Sequence, residues 1–436
     1  MKKYVCILLF ITPILLLAQR PSPGMSQQKS ILIKNAIIHD GNRNAFLGSV
    51  GFNNGIITYL QNPAMPDYQT PVFDTIIDAN GQHLYPGFIL LNTTLGLTEV
   101  DAVRATRDFS ETGEMRSEVR SVIAYNTDSK IIPTVRNNGV LLAQPTPQGG
   151  IISGQSGIVQ LDAWNWEDAV ILIEDGIHLH WPSRIRTYTP WDDEQASYRF
   201  QNNRTKNIYQ IEKLFLEGYQ YHLSKDSKPV NHKLAAMDGL FTGKKNLYLH
   251  ADSENEIMES VLFFESLHVK NIVLVGASSA YSILSFIKSH NLSVILSRIH
   301  ALPSHEDHPI HQPYRLPALL DSAGILFSID YSGDMEAMGS RNLPFTAGTA
   351  VAYGLDYEAA VSVLTLQAAR IIGIDDKYGS IQPGKSATFF LTAGDALDMS
   401  SNLLTKAYID GRLINLGSHQ YDLYKQYLHK YGLKER

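Results

Sequence analysis

Several residues in this chain could do chemistry by their type and spacing. The stretch GIHLHWPS places His178 and His180 two apart, so in a strand they share one face. If that face lines an interior, the two imidazoles could build a site there. On an outward face they are surface residues. HEDHPIH holds His305, His308 and His311 with Glu306 and Asp307. Histidines spaced by three could chelate on a helix, but Pro303, Pro309 and Pro313 make this segment a loop. Such a loop is either an adventitious binder or a lid over a pocket. EVDAVRATRDFSETGE carries Arg104, Arg107 and Asp108; at a pocket mouth an arginine could bind an acidic group, and the alternative is a set of surface ion pairs. Finally, YPGFILLNTTLGL reads as a turn and a buried strand that ends on Asn92, Thr93 and Thr94. Asn92 and Thr94 can hydrogen-bond a ligand, or they can satisfy backbone groups at a strand end.

The elements that must position these groups follow from the apolar rhythm. ILIKNAIIHDG (31–41) and GSVGFNNGIITYLQ (48–61) are strands with turn punctuation, and the β pattern runs on to residue 88. From about residue 86 apolar runs such as GVLLAQ, AVILIED, NLYLHA, NIVLVGA, LSVILS and GILFSID alternate with amphipathic stretches such as SENEIMESVLFFESLHV. Continuous apolar strands separated by helices predict a parallel sheet covered on both faces, and the length fits a closed (β/α)8 TIM-like barrel over 86–377. Strand patterns return over 378–416. They predict a small composite β-sandwich built from the N-terminal (31–85) and C-terminal (378–416) segments. Residues 417–436 have helical spacing and are expected to pack on the surface as a tail. TPQGGIISGQSGIVQLDAWNWED (146–168) is rich in Gly and Ser and reads as a long loop beside the barrel mouth, with Trp164 and Trp166 in its wall or at an interface.

The chain has 436 residues, 44% of them hydrophobic and 18% charged, enough for a large core and a second small one. Its formal charge of −6 and the lack of a basic run exclude a nucleic-acid partner. MKKYVCILLFITPILLLAQR joins Lys2 and Lys3 to an apolar run that is short for a membrane span and broken by Pro13. It reads as a signal peptide over 1–18, cleaved after Ala18, and predicts a periplasmic or secreted protein without a stable membrane span. Cys6, the only cysteine, lies inside that segment, so the mature chain would have neither a disulfide nor a thiolate site.

The order of β segment, PGF, barrel, GSIQPGK and β segment resembles the amidohydrolase superfamily, especially its imidazolonepropionase-like branch. Gly379, Ser380, Gly384 and Lys385 match the family's closing turn, and LTLQAARIIGI (364–374) looks like its last barrel helix. The resemblance covers roughly residues 31–415. It implies one or two divalent metals at the C-terminal mouth, where a bound water becomes hydroxide near neutral pH. It also implies a His-x-His pair on the first barrel strand, Lys or Glu on the fourth, histidines on the fifth and sixth, and an aspartate, usually the general base, on the eighth. Here Asn92 and Thr94 stand in place of the pair, His250 ends the fifth strand, Gly276 to Ser279 occupy the sixth, and Asp330 ends the eighth. His250 and Asp330 are therefore the metal candidates, with Asp330 also the catalytic candidate. Asn92, Thr94, Arg104, His178 and His180 are the ligand-binding candidates.

Two functions are expected from this set. In one, the metal site is degenerate, hydrolysis of C–N bonds is lost or reduced, and the fold binds a small polar or peptide-like ligand. Its partner is then that ligand, an active homologue in a hetero-oligomer, or a second copy of itself. In the other, an altered site with one zinc-like divalent metal still hydrolyses C–N bonds. The ligand set allows one such metal or none.

Overall fold

The computed structural model describes residues 23–62, 71–184, 195–224, 229–303 and 308–434. The expected signal peptide, with Cys6 and the cleavage point at Ala18, lies outside the described residues, as do His305, Glu306 and Asp307.

Both chain ends enter one sheet. From the N-terminal side come β1 (Ile31–His39), β2 (Ala45–Asn53), β3 (Ile56–Gln61), β4 (Thr75–Asp78) and β5 (His83–Pro86). Ile33, Ile38, Val50 and Phe52 supply the apolar face. The barrel strands are β6 (Phe88–Thr93), β7 (Val140–Pro145), β8 (Ile152–Gln160), β9 (Val170–His180), β10 (Asn246–Ala251), β11 (Ile272–Gly276), β12 (Ser293–Leu296) and β13 (Phe327–Ile329). The chain then returns with β14 (Phe389–Thr392), β15 (Leu404–Ile409) and β16 (Arg412–Leu413).

The first sheet runs β16-β15-β14-β5-β1-β2-β3, with β4 also on β1. N- and C-terminal strands therefore share one ladder, in which β14 pairs antiparallel with β5, Phe389 opposite Pro86 and Thr392 opposite His83. The sheet curls strongly. Phe52 on β2 meets Tyr408 on β15 at 5.1 Å between ring centroids, although three strands separate β2 from β15 along the ladder. The Ile57 amide donates to the Lys385 carbonyl at 2.8 Å, and the Ala387 amide to the Gly55 carbonyl at 2.7 Å. Cutting the chain after residue 377 would strip β5 of one of its two partners, leaving only β1, and would remove the Phe389 and Tyr408 rings from Phe52. We expect such a truncation to melt at lower temperature and to lose amide-exchange protection in β1, β2 and β5. Unchanged protection there would show that the two ends fold independently.

The barrel sheet runs β13-β12-β11-β10-β9-β8-β7-β6, and no backbone ladder closes β6 onto β13. Its strands are parallel except β8, which is antiparallel to both β7 and β9. The expected all-parallel (β/α)8 order is corrected to that extent. The stretch read as a long loop supplies this strand. Glycine made it look like a loop, and glycine lets it pack: a Cβ on Gly157 would lie 2.5 Å from Val122 Cγ1 and 2.7 Å from the Leu172 carbonyl oxygen.

Alternate strand residues divide between two cores. Leu90, Val140, Leu179, Leu249, Leu274 and Phe327 cluster with Ile257, Val261 and Phe264 of the helix Glu254–Ser266. Ile89, Leu91, Leu142, Ile158, Tyr248, Val275 and Ile295 fill the interior with Ala368 and Ile371 of the helix Leu366–Ile371. Each fully buried side chain of this size is worth about 1.5–3 kcal/mol. The interior is thus a packed plug below a polar mouth. The tail does form a helix, His419–Tyr431, capped by the Ser418 hydroxyl, and none of its residues is fully buried. Among the described residues no helix is long and apolar enough to cross a membrane.

Candidate functional site at the barrel mouth

The exits of β6 and β13 meet through side chains. The register of β6 against β7 slips between Leu90 and Thr93, and Asn92 takes a left-handed backbone with φ of 47°. Asparagine tolerates that conformation better than most residues. The slip brings its amide to the eighth strand, where Asn92 Nδ2 donates to Asp330 Oδ2 at 2.7 Å. The other carboxylate oxygen, Oδ1, accepts from the Arg298 amide at 3.1 Å, the Ser332 amide at 2.9 Å and the Ser332 hydroxyl at 2.7 Å. Complete burial pushes the Asp330 carboxyl up to about 7, while the Asn92 and Ser332 hydrogen bonds pull the other way. A neutral amide donor therefore occupies the carboxylate oxygen that a cation would otherwise satisfy. Thr94 is buried, and its amide donates to Glu336 Oε1 at 3.0 Å, so it serves a strand-end carboxylate.

A second polar chain runs up the barrel interior. His178 and His180 pair in register with Tyr248 and His250, which puts all four on the interior face. His178 is fully buried. Below it lies Asp175, which accepts from Tyr248 Oη at 2.6 Å, from the Ser156 hydroxyl at 3.3 Å and from the Gln144 amide. Burial raises the Asp175 carboxyl to about 6, against the lowering effect of these donors. Gln144 Oε1 in turn accepts from the Asn92 amide at 2.9 Å, tying this chain to the Asn92–Asp330 pair.

An ionised Asp175 can only accept, and this sets the direction of every bond above it. The Ser156 hydroxyl donates to Asp175. His178 Nε2–H then donates to Ser156 Oγ at 2.9 Å, and His178 Nδ1 accepts from His250 Nε2–H at 2.9 Å. His180 stacks on His250 at 4.0 Å between centroids. Burial first, then the neighbouring imidazoles, holds His178 and His250 well below the usual imidazole range, and burial lowers His180 to about 4.

This arrangement fits a metal poorly. The facing nitrogens of His178 and His250 are directed at each other, and both Asp330 oxygens are taken by donors. Among the described residues no group of three or more His, Cys, Asp or Glu side chains is arranged to hold an ion. On the sixth strand, where the family resemblance calls for histidine, Gly276 and Ala277 sit at φ of 97° and 51° and turn the chain away.

The titrations give a signed prediction. The three imidazoles are neutral in the fold yet charge in the unfolded chain below about 6.5, so they make stability fall as pH falls from there towards 4. Asp330 and Asp175 act oppositely: their stabilising, protonated forms are fully present below the ordinary carboxylate range and are lost as pH rises through about 6 to 7. Against the parent, His180→Asn should flatten the acid-side loss of stability by up to about 1.4 kcal/mol per pH unit. Asp330→Asn should steepen it. Denaturant titrations at pH 5 and 6 measure both, and equal slopes in all three proteins would contradict the assignment.

Beside this polar core, at the exits of β10, β11 and β12, lies a cavity of about 420 Å³. Its wall includes Asp252, Glu256, Ser279, Arg298, His308 and Gln312. His308 therefore borders a pocket, with Tyr281 Oη 2.8 Å from its Nε2, while His311 precedes the helix Gln312–Ala323. Arg104 is exposed on a short 3-10 turn, and no hydrogen bond or ion pair among the described residues ties its side chain to the mouth. The arginine that reaches the mouth is Arg298, two residues beyond β12. Sequence reasoning missed it, and it missed Asp175, although a carboxylate inside the apolar run ILIEDGIHLH was a usable signal.

Residues 243–414 match the amidohydrolase family. No curated protein matches the chain. Among solved structures, an amidohydrolase from Thermotoga maritima MSB8 is similar at 21% identity and a TM-score of 0.74, over 88% of this chain and 99% of that one. A Xaa-Pro dipeptidase with bound methionine in the active site has 12% identity and a TM-score of 0.54, over 88% of this chain and 100% of that one. An adenosine deaminase from Xanthomonas campestris with bound zinc has 14% identity and a TM-score of 0.51, over 94% and 99%. These likenesses establish a shared fold, within which residues 243–414 match the amidohydrolase family.

Proposed function

We propose that this is an exported amidohydrolase-fold protein in which metal-dependent C–N bond hydrolysis is lost or strongly reduced. Its barrel mouth binds a small polar or peptide-like molecule that it does not cleave. The observation that carries this reading is the Asn92 amide on Asp330 Oδ2 at 2.7 Å. Where a hydrolase of this family would place a cation against that carboxylate, this chain places a neutral donor. A working zinc site needs three protein ligands and an open fourth position. With Asp330 bonded on both oxygens and His250 turned to His178, that set is not assembled. A water at such a mouth keeps its high pKa, and hydroxide attack at neutral pH is slow. The partner is the ligand itself, an active homologue in a hetero-oligomer, or a second copy of the chain. Export rests on the charged and apolar start of the chain.

A second reading has one observation in its favour: His178, His180 and His250 are gathered at one place in the barrel. Rotation of His178 off its partner would free two imidazoles for an altered one-metal site and a working C–N hydrolase. Elemental analysis of the protein purified from zinc-supplemented cells separates the two. The first reading expects well below one zinc per chain. Near-stoichiometric zinc supports the second and ends the first.

A further inference from the structure

We infer that the cavity at the exits of β10, β11 and β12 is a binding site for a small molecule bearing a carboxylate, held by Arg298 and Gln312. This names a ligand class for the mouth and rests on the reading above only in treating the mouth as a ligand site. It does not depend on whether a metal is held.

Among the described residues, two donors in this wall lack acceptors. The Arg298 guanidinium is half-buried, and among the described residues it has no carboxylate partner; it lies over the face of Tyr331, 5.2 Å from the ring centroid. An arginine stacked on an aromatic ring keeps the edge of its planar fork available for a bidentate partner. Gln312, on the same wall, buries its Nε2 with no hydrogen-bond partner among the described residues. An unsatisfied buried donor is costly, and a native structure rarely keeps one unless something meets it. A positive fork and an orphan amide in one cavity call for an anionic oxygen group.

The rest of the wall selects among anions. Asp252 is open to the cavity. Glu256 is buried on its wall and accepts from the Ser183 hydroxyl at 2.9 Å and the Arg184 amide at 2.6 Å. These two carboxylates repel a doubly charged phosphate and favour a singly charged carboxylate whose other end is cationic or rich in donors. Leu296, Ile299, Leu302 and Leu316 supply an apolar flank between the charged ends. A volume of about 420 Å³ holds a molecule of amino-acid to dipeptide size. The Arg298 amide also donates to Asp330, so occupancy of the cavity bears directly on the polar core.

The test uses the full chain and measures melting temperature against rising concentrations of acetate, glycine, β-alanine, 6-aminohexanoate, ethylamine and inorganic phosphate, with chelator present. We expect the carboxylates to raise the melting temperature. At least one ω-amino acid should exceed acetate, while ethylamine and phosphate should have little effect. Arg298→Gln should abolish the shift by carboxylates, and Asp252→Asn should remove the advantage of the amino acid over acetate. If Arg298→Gln itself melts lower, Gln312→Leu carries the comparison, with a several-fold weaker response expected. No shift from any carboxylate, an undiminished shift in the variants, or a larger shift from phosphate would overturn the assignment. Because chelator is present throughout, none of these results bears on the metal question.

Discussion

Arg136→Ala should lower the unfolding free energy by about 3–5 kcal/mol, the range for removing one partner of a buried ion pair. Arg136, at the end of the helix Ile132–Arg136, and Asp162, just past β8, have side chains only 3% and 2% exposed and meet at 2.7 Å. Burial pulls the Arg136 guanidinium below its usual range, and the Asp162 charge resists that. Arg136 also donates to the Leu161 carbonyl at 3.0 Å and, across to the C-terminal segment, to the Asn415 carbonyl at 3.1 Å. Asp162 further accepts from Arg412 of β16 at 3.3 Å and from the Gly24 amide at 2.8 Å. The cluster thus pins barrel, C-terminal strands and N-terminal segment together. Arg412 keeps Asp162 partly compensated, which places the loss towards the lower end of the range. Arg136→Met combined with Asp162→Leu should recover much of it, because the penalty comes from an unpaired buried charge. Urea unfolding of the parent, Arg136→Ala, Arg136→Met, Asp162→Leu and the double variant checks this, and simple addition of the two single-variant losses in the double variant would count against the coupling.

The second large effect concerns metal affinity. Asn92→His combined with Thr94→His restores imidazoles at the exit of β6. The 92 side chain already lies against Asp330 Oδ2. Exchanging the amide for a ring nitrogen turns a donor that blocks the carboxylate into a ligand that can share a cation with it. Zinc affinity should rise on the order of 100-fold, about 2.7 kcal/mol. Isothermal titration of parent and double variant measures it. The same exchange removes the Asn92 hydrogen bond, so some stability should be lost without zinc, by about 1–3 kcal/mol, and regained with it.

Much of the scaffold was legible because parallel strands buried on both faces read as unbroken apolar runs; NLYLHA, NIVLVGA and GILFSID are found as β10, β11 and β13. The β8 strand was not legible. Its Gly154 and Gly157 read as loop, and they are there because neighbouring backbone comes too close for a side chain. For His178 and His180, period two fixes that they share a face and leaves open which face; the answer comes from register with Tyr248 and His250, some 70 residues later. Asn92 was visible as a departure from the family pattern, but its partner is 238 positions away. Arg298 was passed over because nothing local marks it. Its setting is made by Tyr331 and Gln312 from other elements.

We propose that the mouth of this barrel does not assemble a metal site. This is tested most directly by titrating zinc into the parent protein and into His250→Ala. The account predicts weak binding by the parent that His250→Ala leaves nearly unchanged, since His250 is committed to His178 at 2.9 Å and Asp330 to Asn92 at 2.7 Å. Tight, stoichiometric binding by the parent that His250→Ala abolishes would contradict it and identify a working metal-dependent hydrolase with an altered site.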